Sequence, residues 1–267
     1  MFTEKKFDTG QVVINYAEGA TSGVPLVLLH GATQRWQAWG TFLSRLESAW
    51  HVYALDLRGH GKSGHVPSGY HAIDYIPDIT TFFQQVVGEP AILIGESLGG
   101  VLTPGIAAQI PEWVRAAIVL EASYFIDHRS IKDLPGVHDY LLGVCDVLTG
   151  VRSLDEVLDI SESSPTWVWD LAESIPCLDI NAVTVILNDQ LLDDSDPKRV
   201  MQNVTCPALL LYGEQEKGSV LRDIDVEFFN ANAPNGVSMQ IKDAGHMIYG
   251  DQPTEVLAHI TKFLDGI

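Results

Sequence analysis

The sequence predicts an α/β fold built on a mostly parallel sheet with helices on both faces. Short runs rich in aliphatic and β-branched residues recur along the 267-residue chain. Most are apolar at consecutive positions, the pattern of strands buried on both faces rather than one. Helix-like segments alternate with them, which is the order of a doubly covered parallel sheet.

In chain order, "VVINY" begins at Val12, "PLVLLH" ends at His30 and "HVYALDL" begins at His51. "PAILIG" follows from Pro90, "AAIVLE" ends at Glu121, "PALLLYG" begins at Pro207 and "VSMQI" begins at Val237. The segments "DYIPDITTFFQQVV" and "PTEVLAHITKFL" carry helix-like patterns. The rhythm breaks once, between Tyr124 and Asn203, where only helical patterns interrupted by Pro and acidic residues are found. That stretch is too long for a plain loop. The expected organisation is therefore a core of residues 1–123 and 204–267 with a helical cap inserted over 124–203.

The net charge of −19 repels phosphate backbones and anionic lipid, so neither nucleic acid nor membrane is an expected partner. No apolar run approaches the roughly 20 residues that span a bilayer. The start, "MFTEKKFDTG", does not read as a secretory signal. Cys145, Cys177 and Cys206 have neither disulfide-framework nor zinc-site spacing. A reduced, cytoplasmic setting is the expectation.

"GESLG", residues 95–99, matches G-x-S-x-G. An apolar strand precedes it and a helix-compatible run follows. In a strand-to-helix turn this tight, Gly95 and Gly99 stand where side chains would clash, and Ser97 is raised at a helix N-terminus as a candidate nucleophile. A nucleophilic serine requires donors for the oxyanion it creates. The N–H groups of Leu98 and of Ala32, on the loop after "LVLLH", are the candidates. His30 is read as steadying that loop, and Trp36 and Trp39 as packing residues. Among nine histidines, His246 alone follows a strand in "DAGHM" and precedes a terminal helix, which makes it the candidate base. His60, in "LRGHGKSG", reads as structural. No HExxH or comparable spacing calls for a metal, and no cofactor is expected.

Two carboxylates could orient the imidazole. Glu121 directly follows an apolar strand and is favoured, because a carboxylate at that sheet edge requires a partner. Glu216, in the polar run "GEQEKGS", is the second candidate.

Taken together, "HGATQRWQAW", "LDLRGHGKSG", "GESLGG" and "DAGHM" resemble the α/β-hydrolase family, over roughly residues 12–122 and 207–264. The resemblance implies an eight-stranded, mostly parallel sheet with a triad at its carboxyl edge and a cap above the pocket. It implies Ser97 as nucleophile, His246 as base, and Leu98 and Ala32 as the oxyanion hole. Most relatives carry Asp where Glu216 stands; some place a Glu where Glu121 lies. Glu96 departs from the His of many relatives and is read as a charge at the helix N-terminus. The implied function is a serine hydrolase of a carboxylic ester or lactone, acting through an acyl-enzyme. Aromatic residues of the cap, Tyr124, Phe125, Tyr140, Trp167 and Trp169, either line a pocket for a moderately large apolar or aromatic substrate or pack within the cap. Carbon–carbon bond hydrolysis of the meta-cleavage type and a ligand receptor on the same fold stay open, as does oligomeric state.

Overall fold

Eight strands form one sheet: β1 (Thr3–Asp8), β2 (Val13–Glu18), β3 (Val24–Leu29), β4 (Trp50–Leu55), β5 (Ala91–Glu96), β6 (Val114–Leu120), β7 (Ala208–Tyr212) and β8 (Gly236–Gln240). The computed structural model describes residues 2–19, 22–124, 129–160 and 166–267. Sheet order is β1-β2-β4-β3-β5-β6-β7-β8. The β1–β2 and β2–β4 pairs are antiparallel, and every pair from β4 to β8 is parallel.

The helices are α1 (Gly40–Leu46), α2 (Ala72–Phe82), α3 (Leu98–Gln109), α4 (Pro135–Leu148), α5 (Leu154–Leu158) and α6 (Thr166–Ser174). They continue with α7 (Ile180–Leu187), α8 (Pro197–Gln202), α9 (Asp223–Asn232), α10 (Ile248–Asp251) and α11 (Pro253–Leu264). The strand β1 escapes a pattern search because nearly all its side chains are exposed and "TEKKFD" is mostly charged. It is an edge strand, where charge discourages pairing with another chain.

Alternation along the central strands divides the core between the two faces. Leu26 and Leu28 of β3, with Ile92 and Ile94 of β5, pack with Trp39, Phe42 and Leu46, and with Val256 and Ile260 of α11. Val27, Leu29 and Leu93 pack on the opposite face with Tyr75 and Phe82 of α2 and Leu102 and Ile106 of α3. All these strand residues are at most 3% exposed. Burying each such side chain contributes about 1.5–3 kcal/mol relative to leaving it in water.

The chain leaves β3 for β4 on one side and reaches β5 on the other. Loops after β3 and β5 therefore part at the carboxyl edge and leave a crevice, the usual ligand position in an open parallel sheet. Between β6 and β7 the described residues form helices and no strand. This helical segment is tied to the sheet layer. Asp179 N–H donates to Gly59 O at 2.8 Å, and Tyr70 O–H donates to Asp179 Oδ2 at 2.7 Å. Ala72 N–H donates to Leu191 O at 2.7 Å. No helix among the described residues is long and apolar enough to cross a membrane.

His30 and His60 lie fully inside, with ring centroids 5.1 Å apart. His30 accepts from Leu57 N–H at 3.0 Å through Nε2, and its Nδ1 lies 2.7 Å from Gly31 O, so it fastens the loop after β3 to the loop after β4. His60 Nδ1 lies 2.8 Å from Arg58 O. Burial pushes His30 down to about 4 and His60 down to about 3, the second helped by the neighbouring His30. In the unfolded chain both take up protons near the ordinary histidine value of about 6.5. Their contribution to stability is thus present above about 6.5 and lost as pH falls toward about 4 and 3. The loss is roughly 1.4 kcal/mol per pH unit for each ring. Urea midpoints measured from pH 7 to pH 5 are expected to fall, and to fall less steeply in His60→Gln. Parallel slopes for the two proteins would remove His60 as a cause.

Candidate active site

Ser97 occupies the turn between β5 and α3 with φ 50° and ψ −112°, a backbone conformation that side-chain-bearing residues rarely adopt. Packing enforces it. A Cβ on Gly95 would strike the backbone of Gly99 and Thr103 Oγ1, and a Cβ on Gly99 would strike the backbone of Leu29. Ser97 N–H donates to Leu120 O at 3.0 Å, and Gly99 N–H donates to His30 O at 3.1 Å. The turn is thereby pinned to β6 on one side and to the end of β3 on the other. Because α3 begins at Leu98, the Leu98 amide has no acceptor within the helix.

The loop after β3 carries Ala32. Gln34 shapes this loop, accepting from Gly31 N–H through Oε1 at 3.1 Å. Thr33, at φ 66°, places its hydroxyl 2.8 Å from Tyr140 Oη on α4. Arg35 on the same loop pairs with Glu173 of α6. The loop that carries Ala32 is thus anchored to two helices of the segment above the sheet.

Glu121, immediately after β6, also has a positive φ, 48°. Its buried oxygens accept from Gly213 N–H, from Ser219 O–H at 2.7 Å and from Val220 N–H at 3.0 Å. Oε2 lies 3.3 Å from His246 Nδ1. The imidazole is consequently oriented by a carboxylate that three other donors hold still. Glu216, by contrast, is exposed on a short turn after β7, and no contact joins it to His246 among the described residues. The geometry thus places Glu121, and not Glu216, beside the ring.

Glu96 differs from its expected role. It ends β5, its fully buried oxygens have no side-chain hydrogen-bond partner, and it does not cap α3. Its Oε1 lies 3.5 Å from His246 Nε2. Burial pushes Glu96 up to about 7, with the His246 charge and the Gly31 backbone opposing and the Glu121 charge adding to the shift. Burial by itself lowers His246, but the Glu121 hydrogen bond and the charges of Glu96 and Glu121 outweigh it, and the ring is raised above its ordinary value.

Ser97, Leu98, Ala32, Glu96, Glu121 and His246 all border one cavity of about 350 Å³. Its other walls are chiefly apolar, including Val101, Leu134, Val137, Leu141, Leu171 and Ile186. Of the aromatic residues expected in a pocket, Tyr140 borders this cavity. Tyr124 does not. Its hydroxyl donates to Gly100 O at 3.2 Å, and the residue borders a separate, smaller cavity beside Arg129. Trp169 is 46% exposed and is not on the cavity wall, because it occupies the outward face of α6. Phe125 and the Trp167 side chain lie outside the described residues. Trp36 and Trp39 are packing residues; Trp39 is buried with its ring centroid 4.7 Å from that of Tyr249. Among the described residues, no group of three or more His, Cys, Asp or Glu is arranged to hold a metal ion.

Sequence reasoning missed the partners that immobilise Glu121 and the approach of Glu96 to the ring. A buried x in G-x-S-x-G was a weak signal for the second. No local pattern marked Ser219 or Val220, which come from after the next strand.

Residues 26–260 match the alpha/beta hydrolase family, and the chain belongs to that family. It is 30% identical over 133 residues to the 2-(acetamidomethylene)succinate hydrolase of Mesorhizobium japonicum, a match spanning 50% of this chain and about half of that protein (48%). It is 27% identical over 270 residues to an uncharacterized carboxylesterase of Bacillus subtilis, covering 94% of this chain and 82% of the relative. The crystal structure of an E-2-(acetamidomethylene)succinate hydrolase superposes with a TM-score of 0.80 at 24% identity, over 99% of this chain and 100% of that one. At that identity the likeness is one of fold.

A hydroxyl, an imidazole and a buried carboxylate in this arrangement suit acyl transfer. A fluorophosphonate probe, which needs an activated serine, is expected to label Ser97. Labelling should slow about 100-fold or more in Glu121→Gln, because the ring loses the acceptor that fixes its tautomer. In Glu216→Gln it should stay within about twofold of wild type, since exposed substitutions away from such features have small effects. Undiminished labelling of Glu121→Gln would rule out Glu121 as the orienting acid.

Proposed function

We propose that this member of the alpha/beta hydrolase family is a serine hydrolase that cleaves a carboxylic ester or lactone of an uncharged, largely apolar small molecule. The observation that carries the reading is the convergence of Ser97, at its strained turn, with His246 and Glu121 on one apolar cavity. In the proposed cycle Ser97 Oγ attacks the substrate carbonyl while His246 Nε2 takes the hydroxyl proton. The carbonyl π pair moves onto oxygen, where the amides of Leu98 and Ala32 receive it. Collapse breaks the bond to the leaving oxygen, which takes the proton from Nε2. Water then repeats the sequence and frees the acid. The helical segment between β6 and β7 acts as a cap whose apolar side chains select the substrate.

Charge supports the substrate class. Among the described residues the cavity wall holds Glu96, Glu121 and Asp170 but no Lys or Arg. A substrate carboxylate would find no Lys or Arg there, and the His246 ring is already faced by two carboxyl groups. The succinate named in the Mesorhizobium relative is a dicarboxylate, so the likeness to that protein favours a second reading, in which the substrate is anionic. The cavity chemistry favours the neutral ester.

A panel of neutral esters and lactones, together with carboxylate-bearing amides, esters and vinylogous β-ketoacids, separates these readings. Turnover is expected for neutral esters such as p-nitrophenyl butyrate, with a loss of roughly 10⁴-fold or more in Ser97→Ala. Preference for the carboxylate-bearing compounds, including carbon–carbon cleavage of the ketoacids, would overturn the substrate assignment. Equal turnover by Ser97→Ala would overturn the mechanism, and a ligand-dependent thermal shift with no turnover would mark a receptor.

The base must be neutral to accept the proton, so kcat/KM is expected to fall as pH drops through the His246 value. Because that value is raised, the midpoint of the acid limb should lie above the ordinary histidine value of about 6.5. An acid limb centred well below it would contradict the ring's placement between two carboxyl groups.

A further inference from the structure

Among the described residues bordering the cavity, Glu96 alone has buried side-chain oxygens without a hydrogen-bond partner. Taking a carboxylate out of water with few partners is costly, and here the His246 charge and the Gly31 backbone offset that cost only in part. Glu96 has no side-chain hydrogen-bond partner, and the Gly31 backbone beside it, whose amide is shared with Gln34 Oε1, offsets its burial only in part. It follows Ile92 and Ile94 on the same face of β5, which directs it toward α10 and the loop carrying His246. Among the described residues its one cationic neighbour within ion-pair distance is the ring itself, with Oε1 3.5 Å from Nε2. That separation exceeds the roughly 2.7–2.9 Å of a charge-assisted hydrogen bond. The contact is therefore coulombic rather than a close hydrogen bond.

Resting on the reading of His246 as the base, we propose that Glu96 is a positioning residue acting through that ring: its carboxylate stabilises the imidazolium from the Nε2 side, as Glu121 does from the Nδ1 side, and thereby sets the strength of the base. When the Ser97 proton reaches Nε2, the ring gains a positive charge between two carboxylates. When the leaving oxygen takes that proton, the charge is discharged. Glu96 exchanges no atom in either step. The groups facing the ring are Glu96 from the end of β5 and Glu121 from the end of β6; those facing Glu96 are His246, Glu121 and Tyr249 of α10. The coupling has two opposed consequences. A stronger base accelerates proton abstraction, and the same ring stays protonated to higher pH.

The experiment is a titration of the His246 ring by NMR, in wild type and in Glu96→Gln, paired with kcat/KM profiles on a neutral ester. In Glu96→Gln the ring midpoint is expected to fall by about one pH unit or more, the effect of removing an opposite charge at this distance. The acid limb should move to lower pH by the same amount, and the high-pH plateau should drop about three- to tenfold because the base is weaker. Glu96→Asp withdraws the carboxylate by one methylene and should also give a ring midpoint below that of wild type; it serves alone where Glu96→Gln fails to fold. An unchanged ring midpoint in a folded variant would overturn the proposal. The two readings fail separately. Full activity of Ser97→Ala would remove the serine mechanism, whereas an unmoved midpoint beside an inactive Ser97→Ala would remove only the role of Glu96.

Discussion

Three residues at the carboxyl edge of the sheet, Thr33, Ser97 and Glu121, have positive φ although none is Gly, Asn or Asp. Each such conformation costs on the order of 1–3 kcal/mol. They follow β3, β5 and β6, which are neighbours in the sheet, so the strain is gathered around one crevice. At Ser97 the strained turn brings the backbone of α3 against β3, where only glycine fits at 95 and 99. At Glu121 it takes the carboxylate to amides donated after β7. The surrounding core has to be rigid enough to hold all three. Two buried layers on a sheet whose central strands are almost wholly enclosed supply that rigidity.

The electrostatics of the site follow from this packing. His246 lies between two buried carboxyl groups supplied by adjacent strands, one fixed by three other donors and one with no side-chain hydrogen-bond partner. In a cavity with mainly apolar walls, charge interactions are less screened than in water. The same setting that favours a cationic ring is the one on which the proposed preference for an uncharged substrate rests. Attachment of the loop carrying Ala32 to Tyr140 and Glu173 joins this edge of the cavity to the helices above.

Several features were legible without coordinates because their signals are local. Continuous apolar runs marked seven of the eight strands, and the eighth, β1, was hidden because its charged residues stay exposed at the sheet edge. The elbow was readable because close backbone approach demands glycine at fixed positions around Ser97. The choice between Glu121 and Glu216 was readable only as a preference, since both follow strands. It was decided by the direction of the backbone after β6, which turns one carboxylate inward and leaves the other in water. Tyr140, Tyr124 and Trp169 carried the same aromatic signal, yet they border the main cavity, border a different cavity, and face solvent, respectively.

The amino-acid sequence by itself determined the parallel sheet, its helical interruption, the serine turn and the order of serine, acid and histidine along the chain. These depend on steric and hydrophobic rules that act over a few residues. Tertiary structure alone decided that Glu121 receives donors from beyond β7, that Glu96 faces the imidazole, and that among the described residues the cavity wall holds carboxyl groups without a Lys or Arg. Burial and charge at a point in space come from segments distant in the chain, and no local pattern records which of them will meet.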